Sequence, residues 1–151
     1  MRVRPAHADE LAMLSDLCLR SKAHWGYEAA FLEACRAELT LGPGDLSDDA
    51  VAVVESEAGV VGVAQVSVSG EEAELEKLFV EPAAIGEGLG RRLFDWAVEA
   101  ARAAGARRLV IAADPDAAPI YRAMGAVDAG DVASMSIPGR MLPRLVFDLQ
   151  G

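Results

Sequence analysis

The chain has 151 residues, of which 52% are apolar and 25% charged, so we expect one ordinary globular domain over residues 1–151. Its 24 acidic and 14 basic side chains give a net charge of −10, which argues against nucleic acid or an anionic membrane as a general partner. No apolar run approaches the roughly 18 residues of a membrane span. The polar start lacks the core of a signal peptide, so we predict a cytoplasmic protein.

The first third of the chain has a helical pattern after one short strand. Apolar residues at helical spacing continue to Lys22, and a second helix is predicted after Trp25. Residues 41–49 contain Gly-Pro-Gly and several aspartates, and are predicted to form an exposed loop. Cys18 and Cys35 fall within the two helices, where reduced and partly buried thiols are expected.

The pattern changes from helical to extended in the middle third of the chain. Strands are predicted over residues 51–54, 60–68 and 73–80, and a turn at 57–59 joins the first two into a hairpin. A glycine-rich loop follows, and then a helix over residues 88–104, whose apolar side chains recur every four positions. A strand therefore leads through a glycine loop directly into an amphipathic helix.

The last third combines a strand, a short helix and two final strands. Residues 108–112 predict the first strand, and Asp114 is predicted to be the N-cap of a helix that ends at Gly125. Further strands are predicted over residues 127–135 and 142–149. The order of elements predicts a mixed α/β fold, with a mixed sheet of about seven strands, about four helices, and a parallel pair of strands on either side of the long helix.

The most specific motif covers residues 80–91, which read Val-Glu-Pro-Ala-Ala-Ile-Gly-Glu-Gly-Leu-Gly-Arg. A helix start leaves about four backbone N–H groups without partners and carries a partial positive charge, so this loop predicts a phosphate site. A Walker loop is excluded, because Gly90 is followed by two arginines instead of Lys-Ser or Lys-Thr. The third glycine of a dinucleotide fingerprint would fall on Arg91, which argues against a dehydrogenase.

The loop resembles the acetyl-coenzyme A loop of the GCN5-related N-acetyltransferase (GNAT) superfamily, which has Gly-x-Gly-x-Gly-Arg between a strand and a helix. Downstream, Asp114, Ala117, Tyr121 and Gly125 look like the second cofactor motif of that superfamily. The segments at 21–27 and 136–143 look like those of one bacterial branch. The resemblance implies the GNAT fold and an acetyl-CoA-dependent N-acetyltransferase, which moves an acetyl group to the amine of a small molecule or peptide. It implies no metal, and it leaves a homodimer open.

The resemblance also implies which residues bind the cofactor. Main-chain N–H groups of the loop would hold the pyrophosphate, and the edge of the preceding strand would hydrogen-bond the pantetheine amides. The predicted cofactor-binding residues are Leu78, Phe79, Val80, Gly86, Glu87, Gly88, Leu89, Gly90, Arg91, Asp114 and Tyr121. Departures from the family pattern include two positions in the glycine loop itself. Ile85 replaces a polar residue and Glu87 adds a negative charge, so we expect a reduced affinity for coenzyme A.

Acetyl transfer from a thioester to an amine requires a base for the amine and an acid for the departing sulfur. Tyr121 matches the tyrosine that serves as the acid in the superfamily, and a phenol with an ordinary pKa of about 10 is protonated at neutral pH. Glu74 and Glu76 share one face of a strand, because strand side chains alternate. Either is a candidate base, and Glu76 is favoured because Glu74 lies nearer the exposed start of the strand. His24 is a further candidate base.

The helical region near the N-terminus is predicted to bind the acceptor, through His24, Trp25 and Tyr27, together with the loop near residues 136–140. The acceptor is expected to be a small-molecule amine. The alternative to an enzyme is a non-catalytic acyl-CoA-binding sensor or interaction module, which would keep the glycine loop and would not need the tyrosine or the carboxylate.

Overall fold

Seven strands form one mixed sheet in the computed structural model, which describes residues 1–150. The strands are β1 (Arg2–Pro5), β2 (Ala50–Ser56), β3 (Gly59–Ser69), β4 (Glu72–Val80), β5 (Arg108–Ala112), β6 (Val127–Ala133) and β7 (Met141–Asp148). Their order across the sheet is β1-β2-β3-β4-β5-β7-β6. The pair β4 and β5 is parallel, and every other neighbouring pair is antiparallel. The predicted mixed sheet and its parallel pair are confirmed.

Five α-helices pack on the two faces of this sheet: α1 (Leu11–Ala23), α2 (Ala29–Leu39), α3 (Pro43–Asp48), α4 (Leu89–Ala103) and α5 (Ala118–Ala123). Strand alternation separates the faces, because Val53 packs with α1 and α2, whereas Val54 packs with α4. Cys18 and Cys35 lie inside the first of these clusters, where both thiols are fully buried. In the part of the chain that the structure describes, no helix is long and apolar enough to cross a membrane.

The prediction of an exposed loop over residues 41–49 is wrong, because α3 forms there and brings the number of helices to five. Pro43 is its first residue, where the fixed φ of proline suits a helix start. The carboxylate of Asp45 accepts a hydrogen bond from the Gly42 N–H at 2.7 Å, and the amide of Gln65 on β3 donates to the same carboxylate at 2.9 Å. A buried side chain of the sheet therefore fixes a helix that is too short to be stable alone.

The prediction that Asp114 caps a helix is also wrong. Helix α5 begins three residues later than expected for such a cap, with Ala117 at the N-cap position, and no side chain caps it. The Asp114 carbonyl instead accepts hydrogen bonds from the N–H groups of Ala117 and Ala118, at 2.9 and 3.0 Å, which forms a turn before the helix. The Asp114 carboxylate is engaged elsewhere, because Lys22 binds it at 3.0 Å.

An irregularity in β4 separates the two parallel strands. Gln65 of β3 pairs with Lys77 of β4, and the next residue of β3, Val66, pairs with Leu75. Glu76 is therefore an extra residue in β4 without a partner on β3. Pairing between β4 and β5 ends at Glu74. Beyond that point the strands part, and the cleft between them opens toward the start of α4.

Candidate active site

A cavity of about 340 Å³ occupies the cleft between the ends of β4 and β5. Its walls come from α1, β4, the glycine loop, the start of α4, the end of β5 and α5. The lining is mostly apolar with a few polar groups, which is typical of a small-molecule site. Every predicted cofactor-binding residue except Glu87 lines this cavity. The structure thus brings two motifs that are distant in sequence to one place.

The glycine loop beside this cavity leaves its main-chain donors free. Within residues 1–150, the N–H groups of residues 86–91 find no hydrogen-bond partner, and the first helical bond of α4 runs from the Arg92 N–H to the Gly88 carbonyl at 3.2 Å. Gly88 has a φ of 78°, in the left-handed region that favours glycine. These donors lie at the positive end of a helix of 15 residues, which is a favourable place for an anion.

Gly90 is a glycine that the packing of the protein does not require. It lies in the first turn of α4 with no left-handed backbone, and a Cβ atom at this position would have Leu78 Cδ2, at 4.0 Å, as its nearest neighbour. Alanine would therefore fit, and it would favour the helix by about 1 kcal/mol. The missing side chain keeps this part of the backbone open to a ligand.

Tyr121 is buried in α5, and its hydroxyl reaches the cavity. Only 8% of the residue is exposed, and its ring packs near Phe94 with centroids 6.0 Å apart. The hydroxyl has no hydrogen-bond partner within residues 1–150. Every side-chain polar atom of these residues that is inaccessible to solvent does have a partner, so the Tyr121 oxygen must be accessible, and the residue lines the cavity. Burial raises the pKa of Tyr121, and the negative charge of Asp114 raises it further. The phenol is therefore protonated at physiological pH.

The two candidate bases on β4 differ in their position. Glu76, at the irregularity of the strand, lines the cavity and accepts a hydrogen bond from the Ser67 hydroxyl at 3.2 Å. Glu74 does not line the cavity. Desolvation raises the pKa of Glu74, and the neighbouring charge of Glu76 adds to this effect. Of the two residues, only Glu76 lines the cavity.

The three predicted acceptor-binding residues differ in whether they line the cavity. Trp25 lines the cavity with 42% of its surface exposed. His24 lies outside the lining and meets the edge of the Trp25 ring, with centroids 5.6 Å apart. Tyr27 lies outside it as well, because its ring stacks on Phe31 at 4.3 Å and its hydroxyl accepts a hydrogen bond from Arg140 at 3.0 Å.

Two cations near the cavity were not predicted individually, although Arg140 belongs to the loop near residues 136–140 that was expected to bind the acceptor. Lys22 and Arg140 both bind the carboxylate of Asp114, at 3.0 and 3.4 Å, and so connect α1, the end of β5 and the segment before β7. No local pattern reveals these pairs, because the partners are far apart in the chain. Over residues 1–150, no three His, Cys, Asp or Glu side chains are grouped so that they could hold a metal ion.

Comparison with known proteins identifies the family. A family model described as an acetyltransferase (GNAT) domain matches residues 47–125, which include the glycine loop, Glu76 and Tyr121. The chain belongs to the GNAT family. Membership in GNAT confirms the predicted resemblance and the prediction of an acyltransferase enzyme. No curated protein is significantly similar in sequence.

Solved structures with the GNAT fold align with nearly the whole chain. The GCN5-related N-acetyltransferase from Rhodopseudomonas palustris has 23% identity and a TM-score of 0.77, over 97% of this chain and 94% of that chain. The PaiA N-acetyltransferase from Thermoplasma acidophilum has 13% identity and a TM-score of 0.79, over 97% and 98%. The yncA protein from Salmonella typhimurium has 21% identity and a TM-score of 0.70, over 100% and 95%. The second was solved with coenzyme A and the third with acetyl-CoA, the cofactor that the sequence predicted for this chain.

Proposed function

We propose that this GNAT acetyltransferase moves an acetyl group from acetyl-CoA directly to the amine of a small molecule. The observation that carries the proposal is that one cavity collects an anion site, a protonated phenol and a carboxylate. An amine acceptor needs both a base and an acid, and these groups stand on different walls of the cleft. The family membership supports acetyl transfer.

The residues present fit acetyl-CoA. The free N–H groups of residues 86–91 suit its pyrophosphate, and Gly90 leaves room for it. Residues 78–80 of β4 lie beyond the pairing with β5, so their backbone on that side is available to pantetheine amides, which would add to the sheet as a short strand does. When bound, acetyl-CoA supplies the acetyl group as a thioester.

Glu76 and Tyr121 divide the proton transfers. Glu76 takes a proton from the ammonium form of the acceptor and passes it to water, which leaves a nucleophilic amine. The amine nitrogen then forms a bond to the acetyl carbon as the bond from that carbon to sulfur breaks. Tyr121 gives its proton to the departing sulfur, and the second proton released by the nitrogen passes through water in the cleft to restore the phenol, so the products are an amide and a free thiol.

The experiment compares Glu76→Gln with Glu74→Gln as a matched control, because both substitutions remove a carboxylate from β4 and only Glu76 lines the cavity. Turnover with acetyl-CoA and a panel of amines is followed through the free thiol and the mass of the product. We expect kcat to fall roughly 100-fold in Glu76→Gln, within the usual range for loss of a general base, and little in Glu74→Gln. The defect should shrink at alkaline pH, where the amine loses its proton unaided.

Equal activity of the two variants at neutral pH would contradict the role of Glu76. Tight binding of acetyl-CoA with no turnover of any amine by the unmodified protein would instead support the non-catalytic sensor.

A further inference from the structure

The last turn of α1 presents a second unpaired hydroxyl to the cavity. Ser21 is 8% exposed and lines the cavity. Its hydroxyl has no hydrogen-bond partner within residues 1–150. Because every solvent-inaccessible side-chain polar atom of these residues has a partner, the Ser21 oxygen must be accessible. The other buried serine of α1 behaves differently. Ser15 donates to the Leu11 carbonyl at 2.8 Å and accepts from the Leu41 N–H at 2.9 Å.

Trp25 lies in the turn that follows α1, four residues after Ser21. It also lines the cavity, and much of its indole ring is exposed. A large exposed aromatic surface at the mouth of a cavity offers a stacking partner to an apolar group or a cation. Glu76 stands on β4 in the same lining. We call Ser21, Trp25 and Glu76 the acceptor face.

The charge of the acceptor face is negative. Three other charged residues in the lining are held by neighbouring side chains: Lys77 by Gln65 at 3.1 Å, Asp114 by Lys22 at 3.0 Å and Arg91 by Asp95 at 3.4 Å. Glu76 has no cationic partner among residues 1–150 and only accepts a hydrogen bond from Ser67. A cation at the acceptor face would therefore be attracted, whereas an anion beside Glu76 would be repelled.

We propose that Ser21, Trp25 and Glu76 bind the acceptor and select a primary amine that carries an apolar or aromatic group and has no carboxylate beside the amine. This inference rests on the proposed function. Glu76 and the Ser21 oxygen accept hydrogen bonds from the ammonium group, and Trp25 packs against the apolar part. A free α-amino acid is disfavoured, because its carboxylate would lie next to Glu76.

Three probes of similar shape separate charge from size: phenethylamine, phenylalanine amide and phenylalanine. The amide has nearly the volume of the amino acid and lacks its negative charge. With acetyl-CoA as donor, we expect kcat/KM for phenethylamine and for the amide to exceed that for phenylalanine at least tenfold. Should none of the three be acetylated, their binding to the protein saturated with coenzyme A is measured by calorimetry, with the same order expected.

Substitutions of Ser21 and Trp25 test the residues themselves. Ser21→Ala and Trp25→Leu should each raise KM for phenylalanine amide at least fivefold and leave KM for acetyl-CoA unchanged. Met13→Ala is the matched control, because Met13 is exposed on the same helix as Ser21 and does not line the cavity. Thermal melting of each variant verifies that the helix remains folded.

The inference is overturned if phenylalanine is acetylated or bound as well as its amide, if neither phenethylamine nor the amide binds, or if Ser21→Ala and Trp25→Leu both behave like Met13→Ala. Efficient acetylation of phenylalanine would overturn only this inference and would leave the proposed function standing. Failure of the protein to bind acetyl-CoA at all would overturn the proposed function as well.

Discussion

Tyr121 combines almost complete burial with a hydroxyl that only the cavity can satisfy. Its raised pKa keeps the phenol protonated and also makes it a weaker acid, so the proton moves to sulfur only as negative charge develops there. We expect Tyr121→Phe to lower kcat about 100-fold without changing KM for acetyl-CoA. Tyr27→Phe is the control, since it removes a hydroxyl outside the cavity. Equal kcat values for the two variants would exclude the acid role.

Arg4 and Glu10 form an ion pair away from the cavity that should govern stability in acid. Arg4 donates to both carboxylate oxygens, at 3.0 and 2.7 Å, and its hydrogen bonds lower the pKa of Glu10 from 4.5 to about 2. A carboxyl group whose pKa is lower in the folded state than in the unfolded state stabilises the protein at pH values above the unfolded-state pKa. This contribution is lost as the pH falls from about 4.5 to about 2.

We therefore expect Glu10→Gln to reduce the free energy of unfolding at pH 7 by about 1 kcal/mol, a value discounted for the water that reaches the pair. Near pH 2 the variant and the unmodified protein should differ much less. Urea titrations at the two pH values measure both differences. A loss of the same size at pH 7 and pH 2 would show that the charge of Glu10 is not responsible.

At the scale of elements, the start of α4 tests whether the glycine loop serves a ligand or only the fold. Gly90→Ala adds a methyl group that the protein can accommodate, so the free energy of unfolding should stay equal or rise by up to about 1 kcal/mol. The same methyl group would project toward the bound cofactor, so we expect the Kd for acetyl-CoA to rise at least tenfold.

Gly88→Ala is the matched control for this prediction. Gly88 has left-handed backbone geometry, so alanine there should lower stability by about 1 kcal/mol. Calorimetric titration and thermal melting separate the two effects. If Gly90→Ala bound acetyl-CoA as tightly as the unmodified protein, the backbone at this position would not be a contact of the cofactor.

The elements that could be predicted from the sequence are those fixed by local patterns. Strand β4, the glycine loop and α4 follow from alternation, glycine spacing and apolar residues four positions apart, and the structure confirms this strand and helix. Helix α3 could not be predicted, because its anchor is the amide of Gln65 on another element. The partners of Asp114 could not be predicted either, because Lys22 lies far from it in the sequence.

The irregularity of β4 explains why the site could be predicted only in part. No residue type indicates that Glu76 is the extra residue in β4, yet this residue lies where the cleft begins and lines the cavity. The resemblance to GNAT supplied Tyr121, and the strand pattern supplied two candidate carboxylates, of which Glu76 was favoured over Glu74. The three-dimensional structure adds that Glu76 lines the cavity whereas Glu74 does not, and it reveals the accessible hydroxyl of Ser21.

At the scale of the whole molecule, the sheet brings together two binding regions of opposite character. The protein has a net charge of −10, yet the start of α4 offers free N–H groups to an anion. The acceptor face across the same cleft is negative and suits a cation. The divergence of β4 and β5 is what allows both ligands to meet, because a fully paired sheet would leave no cavity between them.

The most direct test of this account is the thermal unfolding of the protein with and without acetyl-CoA. At about 100 times the Kd, acetyl-CoA should stabilise the folded state by roughly 2.7 kcal/mol, which for a domain of this size raises Tm by roughly 5–10 °C. NAD at the same concentration should give no shift. An unchanged Tm with saturating acetyl-CoA would contradict the central claim that residues 86–91 hold this cofactor.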